Sequence, residues 1–500
     1  MAGANNPAAP VEIEIKLTGA PASLKKAFTA LGGGKPKSAQ VVSVYYDTRD
    51  DRLWRKGYTL RLRQKGAGHE LTLKSEGGGN LERGEWSSML DAPIPDPGLL
   101  PATAPRGELG LILPEELGER HRTEVRRTKK LVELDDAVVE VSLDEGAIRA
   151  GEERMPVAEL ELELVKGDPA AILRSAERML QRFPLALDSR SKAARGMALA
   201  QNAPPAWEKA SKPALNPKDS VDTAIARILQ ITAAQVLANI AAAADGQDSE
   251  GVHQLRVALR RMRSAFSIFG GLIGDDLEGL NEQARHILKS LGDARDLDVF
   301  IEETMPPVLE EHDGAKGLTQ LGERADEARN EAYGHVRSML AEPVLGQFVL
   351  RVLLTAEHIA GRRENTGPIR DLAQKELKRR RKKVLKKGEG FETMPTPERH
   401  MVRIALKKLR YAVDFFQSLY PEDAVAPYQT LIKDLQDDFG TMNDAAVAEE
   451  LAERLAGGYV EAMMGAALLK GWYAHRLKAV EPHMIGAWQQ FCDARPFWKT

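Results

Sequence analysis

The chain has 500 residues, of which 43% are hydrophobic and 29% charged, and a net charge of −3. That length is too great for one compact core and predicts two or three domains; the near-neutral total excludes no charged partner, because the charge is clustered along the chain. A single cysteine, Cys492, excludes an internal disulfide framework and a cysteine metal cage.

Met1 to Pro10 is small and polar and lacks the basic and apolar regions of a secretory signal. No run approaches about 20 uninterrupted apolar residues, so no membrane span is expected and the expected location is the cytoplasm. Residues 9–202 read as a first domain. Val11 to Leu17 alternates apolar and charged residues, the period of a strand. Thr59 to Arg63, Glu70 to Lys74, Val138 to Leu143 and Glu159 to Leu164 repeat the habit. Short helical stretches interrupt them at 23–31 and 169–183. Gly32 to Gly34 and Gly77 to Gly79 read as turns, since neither opens a helix with Gly-Lys-Ser/Thr. Many strands separated by turns predict a closed antiparallel β-barrel with flanking helices.

Residues 203–217 are rich in proline and form a linker. Over 218–497 the apolar residues recur at three and four, the signature of an all-helical domain; the fold class is therefore multidomain α+β. This region repeats itself. His253-Gln-Leu-Arg256-Val-Ala-Leu-Arg260-Arg261-Met-Arg263 returns as His400-Met-Val-Arg403-Ile-Ala-Leu-Lys407-Lys408-Leu-Arg410. Leu291-Gly292-Asp-Ala-Arg-Asp296 returns as Phe439-Gly440-Thr-Met-Asn-Asp444. Two similar helical bundles about a pseudo-twofold axis are expected.

The charges of the first domain are sorted by strand. Every second side chain of a strand points the same way, so Glu12, Glu14 and Lys16 share a face, as do Arg61, Arg63 and Lys65, and Glu159, Glu161 and Glu163. One such face is ordinarily the wet outside of a sheet. Glutamates spaced by two repel unless a cation sits among them, and an oxygen-only ligand set suits Mg²⁺ or Mn²⁺. Arginines spaced by two suit phosphate. A charge-lined interior with an apolar exterior is thus expected, the exterior covered by helices.

These residues carry a family resemblance. Glu12-x-Glu14-x-Lys16, Tyr45-Tyr46-Asp47-Thr48, Leu60-Arg61-Leu62-Arg63, Leu73-Lys74, Glu140 with Asp144, and Glu159-x-Glu161 occur in that order over residues 11 to about 200. They resemble the CYTH superfamily, the triphosphate tunnel metalloenzymes. The resemblance implies an eight-stranded tunnel that binds triphosphate with Mg²⁺ or Mn²⁺. It implies metal binding by Glu12, Glu14, Glu140, Glu159 and Glu161. It implies substrate binding by Lys16, Arg61, Arg63, Lys74, Arg127, Lys129 and Lys192, with Lys16, Lys74 and Arg127 closest to the chemistry. Arg83 and Glu85 are further candidates, and the register at Arg126/Arg127 is open by one residue. The activity implied is hydrolysis of inorganic triphosphate to diphosphate and phosphate. Thiamine triphosphatase, a class IV-type adenylyl cyclase and a non-catalytic polyphosphate-binding scaffold are the alternatives.

In the helical region, His253, Arg256, Arg260 and Arg263 fall on one stripe of a helix, as do His400, Arg403, Lys407 and Arg410. Such stripes are commonly solvated surface, but cations stacked without acids destabilise a helix, and here the stripe is duplicated. Lys375 to Lys387 adds nine basic residues in thirteen. Aromatic residues are scarce there, so nucleic acid is not expected. The repeats resemble the CHAD domain, which implies inorganic polyphosphate as the partner of the two stripes. The motif Asp293 to Asp298 is expected to cap helices and pair with arginines.

Overall fold

The computed structural model describes residues 11–76, 82–134, 136–274, 276–362 and 364–499; of Val11, Glu12, Glu82, Arg83 and Asp276 it describes the backbone alone. Gly77 to Gly79 lie outside the described residues. The chain forms two compact units. The first comprises 1–209 with 233–251 and 340–354, and the second comprises 210–232, 252–339 and 355–500. The boundary at Lys209/Ala210 falls within the proline-rich segment, while the first unit also takes two segments from the helical region.

Among the described residues, nine antiparallel strands belong to the first unit: β1 (Val11–Gly19), β2 (Lys37–Thr48), β3 (Tyr58–Lys65), β4 (Gly68–Ser75), β5 (Glu82–Leu90), β6 (Leu117–Leu134), β7 (Ala137–Ala150), β8 (Glu153–Gly167) and β9 (Leu185–Leu187). Their order is β5-β4-β3-β2-β6-β7-β8-β1-β9. A pairing of β1 with β5, confined to Val11–Ile13 against Glu82–Gly84, links the first strand of that order to the last but one. The expectation of a uniform eight-stranded barrel is corrected accordingly. The ninth strand is a three-residue addition to β1, and the β1–β5 seam is short beside the β6–β7 ladder that runs from Arg122 to Leu134.

Register sorts the side chains. Residues directly opposite on neighbouring strands share a face. Thr18, Glu159, Asp144 and Arg127 are successive cross-strand partners, and Lys16, Glu161, Ser142 and Lys129 form the next row. Ser43 opposes Arg63, which opposes Glu70; Tyr45 opposes Arg61, which opposes Thr72. One face of the sheet therefore carries these charged and polar rows, followed at one end by an apolar patch of Val125, Ile148 and Val157. On the other face Ile15, Leu17, Leu160, Leu162, Val139, Val141 and Leu143 are buried beneath α1 (Pro21–Ala30) and α4 (Pro169–Arg182). Each fully buried aliphatic side chain contributes roughly 1.5–3 kcal/mol, so the apolar exterior fixes which face turns inward. A second apolar cluster joins Leu60, Leu62, Leu71, Leu73 and Trp86 to Leu53, Leu100, Leu109 and Ile112; the short helices α2 (Arg52–Arg55) and α3 (Arg106–Leu109) lie in it. Asp47 of the Tyr-Tyr-Asp-Thr element is buried and accepts the amides of Leu53 and Trp54, each at 2.9 Å. That aspartate ties the start of α2 to β2.

Helix α5 (Lys192–Gln201) is capped by Ser191, whose Oγ accepts the Ala194 amide at 2.8 Å. Gly196 faces the buried His121 ring so closely that a Cβ would fall 2.0 Å from the ring carbon Cδ2. His121 in turn stacks on Tyr45, with ring centroids 4.5 Å apart.

The remaining helices are α6 (Val221–Asp245), α7 (Glu250–Ile273), α8 (Asp276–Ser290), α9 (Gly292–Val299), α10 (Met305–Glu311), α11 (Lys316–Ala341), α12 (Pro343–Arg362), α13 (Ile369–Lys387), α14 (Thr396–Phe416), α15 (Glu422–Ala456) and α16 (Val460–Asp493). The repeat is legible in this order: α6, α7 and α11 recur as α13, α14 and α16. The segment that forms α8, α9 and α10 in the first copy, with a π-helical turn at Phe300–Thr304, is the continuous α15 in the second. Helices α6 and α12 are long and apolar enough to cross a membrane by length and composition, with mean hydropathies of 1.4 and 1.2. They contain no uninterrupted apolar run of that length, and 67% and 50% of their apolar windows are packed inside the protein.

Replacing Gly196 by Ala is expected to destabilise the protein by roughly 1–3 kcal/mol, the cost of overpacking a filled site. A denaturation midpoint equal to the parent's would show that His121 yields freely.

Candidate functional site

The polar face of the sheet gathers a buried acidic trio. Asp144 on β7 and Glu159 and Glu161 on β8 each present a carboxylate oxygen within 4.8 Å of the others. Neighbouring strands bring them together, because Asp144 lies opposite Glu159 and Glu161 follows two residues on. Three anions in a dry site require cations. Lys192, the first residue of α5, supplies one: its Nζ lies 2.7 Å from Asp144 and 2.8 Å from Glu161 and also contacts Glu159. Arg127 bonds Asp144 through Nε and Nη2 and reaches Glu161 at 2.6 Å. Arg195, one helical turn beyond Lys192, contacts Glu159.

Burial works against the charge of Asp144, Glu161 and Lys192, and their partners outweigh it. Lys192 and Arg127 hold Asp144 below the usual carboxylate range and Glu161 well below it. Glu159, Glu161 and Asp144 hold the Lys192 ammonium above the usual lysine range despite its burial. Lys16 is raised likewise: burial opposes its charge, and Glu14, Glu159 and Glu161 favour it. Its Nζ lies 3.1 Å from Glu14 and 3.8 Å from Glu161.

Further round the same face the charge is basic. Arg63 Nε donates to Ser43 Oγ at 2.8 Å, and Arg61 Nη2 donates to Thr72 Oγ1 at 3.2 Å. Arg61 is also 3.8 Å from Glu70 and from Glu85, and Lys74 lies 3.1 Å from Glu85. Burial and the Arg61 charge lower Arg63 to about 10, which marks a cationic group short of counter-charge.

The sequence-derived candidates sort accordingly. Glu14, Glu159, Glu161, Lys16, Arg127 and Lys192 meet at the trio, and Arg61, Arg63 and Lys74 line the basic stretch. Arg126 points the other way, 2.9 Å from Glu145, which assigns the inward position to Arg127. Lys129 and Glu140 pair with each other at 2.9 Å on a more exposed part of the polar face. The side chains of Glu12 and Arg83 lie outside the described residues. Two members were not among the expected ligands and substrate contacts. Asp144 stands four residues after Glu140 on the same strand, so strand parity alone puts it on the same face. Arg195 stands one turn after Lys192, so helical spacing finds it.

The second unit holds a cationic cleft of about 580 Å³ between α7 and α14, lined by Arg260, Arg263, Lys407, Lys408, Tyr411 and Asn281 among others. The two stripes converge there: Arg260 of the first is an electrostatic neighbour of Arg403 and Lys407 of the second. Burial, then Arg403 and Arg260, push the Lys407 amine down to about 7. The other stripe residues are braced from neighbouring helices. Arg256 donates to the Leu288 carbonyl at 2.9 Å and Arg263 to Asn281 at 3.0 Å; Arg403 donates to Asn443 at 2.9 Å and Arg410 to Gln436 at 2.7 Å. His253 and His400 start their stripes but are not part of the cleft lining. In the acidic motif, Asp298 is fully buried, 2.7 Å from Arg329 and accepting the Tyr333 hydroxyl at 2.8 Å, while Asp296 is an electrostatic neighbour of Arg256.

Comparison with known proteins matches residues 10–197 to the CYTH domain and residues 227–453 to the CHAD domain. Over 161 residues the chain is 31% identical to the inorganic triphosphatase of Haemophilus influenzae. That match covers 31% of this chain and 45% of the relative, so the chain spans less than half the length of this curated relative. The fold is similar to the crystal structure of the CHAD domain from the plant Ricinus communis, with a TM-score of 0.53 and 24% identity over 58% of this chain and 98% of that one.

Lys192, through its Nζ, fills the space among the three carboxylates. Replacing it by Gln is expected to raise the affinity for Mn²⁺ without substrate by at least about tenfold, and to lower stability in chelator, because breaking a buried ion pair strands the remaining charges. Titration calorimetry and thermal melts read both effects; an unchanged or weaker Mn²⁺ affinity contradicts them.

Proposed function

We propose, for a chain that carries a CYTH domain followed by a CHAD domain, that the first unit hydrolyses inorganic triphosphate and the helical region binds inorganic polyphosphate. The observation that supports hydrolysis is the juxtaposition on one polar face of a carboxylate trio within 4.8 Å and the cations Lys16, Arg61, Arg63, Lys74 and Arg127. The trio fits a hard divalent ion, since all its donors are carboxylate oxygens; Asp144, Glu159 and Glu161 would hold it with the Lys192 ammonium withdrawn from among them, and Glu14 lies close to Lys16. Mg²⁺ or Mn²⁺ bound there would supply charge neutralisation for the transferring phosphoryl group. The chain's own residues do the rest. Arg61 and Arg63 present forked donors to the phosphate oxygens, and Lys16, Lys74 and Arg127 place charge around the chain. Water oxygen bonds to the terminal phosphorus, the bridging P–O bond breaks, and diphosphate leaves with the electron pair into that cationic surround; one of water's protons stays on the phosphate formed and the other passes to the diphosphate.

A second reading has one observation in its favour. A cavity of about 300 Å³ beside α5 is lined by Trp54, Glu76, Arg190, Pro204, Pro205 and Glu208, among others. It has room for an organic group, as in a thiamine- or adenosine-bearing triphosphate. A panel of triphosphate, ATP and thiamine triphosphate separates the readings. The expected order of kcat/KM puts inorganic triphosphate first; a higher value for ATP, or formation of cyclic AMP, favours the second reading. Glu159→Gln and Glu161→Gln are each expected to cut turnover at least about 100-fold, the scale of losing a principal electrostatic stabiliser. Near-parental turnover in both folded variants removes the trio from the reaction.

For the helical region, the meeting of both stripes at one cleft supports polyphosphate binding, with Arg260, Arg263 and Lys407 in its lining and Arg256, Arg403 and Arg410 continuing the stripes beyond it. Lys407, depressed to about 7 among Arg403, Arg260, Arg410 and Asp444, gives that binding a pH dependence. A polyanion favours the protonated amine, so affinity is expected to fall as pH rises through about 7, with proton uptake on binding above it. Lys407→Arg should flatten the profile. An identical pH profile in parent and variant excludes Lys407 as the cause.

A further inference from the structure

The cleft does not end at its own lining. Lys408, in that lining, has Arg263 of α7 as one electrostatic neighbour and Arg380, Lys383 and Lys387 of α13 as the others. Burial and these four cations lower its amine, with no carboxylate among the principal influences. Helix α13 packs against α14, and Arg380, buried there, donates to Ser267 Oγ at 3.4 Å. Ser267 itself lines the cleft. A continuous run of cations therefore leads from Arg260 and Lys407 through Lys408 to Lys383 and Lys387.

Glu278 lies in the cleft lining and Asp444 near Lys407, but the outer part of the run, Lys408, Lys383 and Lys387, lacks such compensation. The one acid in the basic stretch of α13, Glu376, is occupied by Arg379 at 2.6 Å and Arg380 at 3.6 Å. Lys383, Lys387 and Lys408 form no ion pair among the described residues. Lys383 and Lys387 also stand four apart on one helix face, where like charges destabilise the helix. Such an arrangement costs stability in the absence of an anion and recovers it when one is bound. The anion needed is long, since the track begins in a cleft and continues along another helix. It is recognised by charge alone, since α13 carries no aromatic residue on which a base could stack.

We propose that α13 extends the cleft into a longer track, on which Lys408, Lys383 and Lys387 bind the onward part of an inorganic phosphate polymer too long for the cleft itself. The proposal rests on the reading of the cleft given above and adds selectivity for chain length to it. Short polyphosphate engages the stripes alone, and long polyphosphate engages α13 as well.

The test uses the full chain in chelator, with a short and a long fraction of inorganic polyphosphate and a homopolymeric single-stranded RNA. Binding is measured across a series of salt concentrations. The double variant Lys383→Gln/Lys387→Gln is expected to bind the long fraction about tenfold more weakly, with its salt slope lowered by roughly one to two units. The same variant should bind the short fraction as the parent does. Arg260→Gln/Lys407→Gln should weaken both fractions. The extension is overturned if the α13 variant holds the long fraction as tightly as the parent, or if it loses the short fraction equally. RNA bound as tightly as long polyphosphate would make the occupant a nucleic acid and overturn the assignment. A parent that binds neither fraction refutes the cleft reading itself, an outcome distinct from failure of the α13 variant alone.

Discussion

Three carboxylates placed within 4.8 Å of one another in a desolvated pocket cannot all stay ionised without a cation among them, and much of the first unit is arranged around that constraint. Each acid would be driven to its neutral form by burial if left alone. Instead Lys192 enters from α5, Arg127 from β6 and Arg195 from the next turn of α5, and the carboxyls of Asp144 and Glu161 are held in their charged form. The apolar exterior serves the same end. By packing Ile15, Leu17, Leu160 and Leu162 under α1 and α4, the sheet leaves its charged rows no other place than the inner face. A site of this kind is preorganised, in that its charges are fixed by packing before any ligand enters.

The helical region applies the opposite policy to the same kind of group. Its cations are crowded without enough acids, and the surplus is exposed in a cleft and along α13. Duplication makes this arrangement possible, because a single stripe would be an ordinary basic surface, whereas two that converge place Arg260 beside Arg403 and Lys407. The copies have not stayed alike. One interrupts its third helix at Leu291 and again with the π-helical turn, while the other runs the corresponding segment as the 35-residue α15.

Much of this was legible in the sequence, for reasons of period. Strict alternation marked β1, β3, β4, β7 and β8, and a strand's parity of two put Glu14 with Lys16, Arg61 with Arg63, and Glu159 with Glu161, each pair on a face of its own strand. Spacing at three and four marked α7 and α14, and the repeat announced the pairing of their stripes. What stayed hidden depends on contacts between distant segments. The alternation in β6 left Arg126 and Arg127 interchangeable until cross-strand pairing put Arg127 opposite Asp144. Nothing in the spacing said that Lys129 and Glu140 would neutralise each other away from the trio, or that β9 would add a ninth strand. The seat of His121 beneath Gly196 is likewise a meeting of residues far apart in the chain.

That seat ties a steric contact to an electrostatic one. Gly196 and Lys192 are four residues apart on α5, about one helical turn of 5.4 Å. The distance between the helix's resting point on His121 and the ammonium it delivers is thus set by backbone geometry rather than by side-chain flexibility. The bulk at positions 121 and 196 acts as a spacer that gauges how far Lys192 reaches into the carboxylates. Residues at these two positions are consequently bound to change together, a larger one at 196 demanding a smaller ring at 121, if the depth of that charge is to be kept.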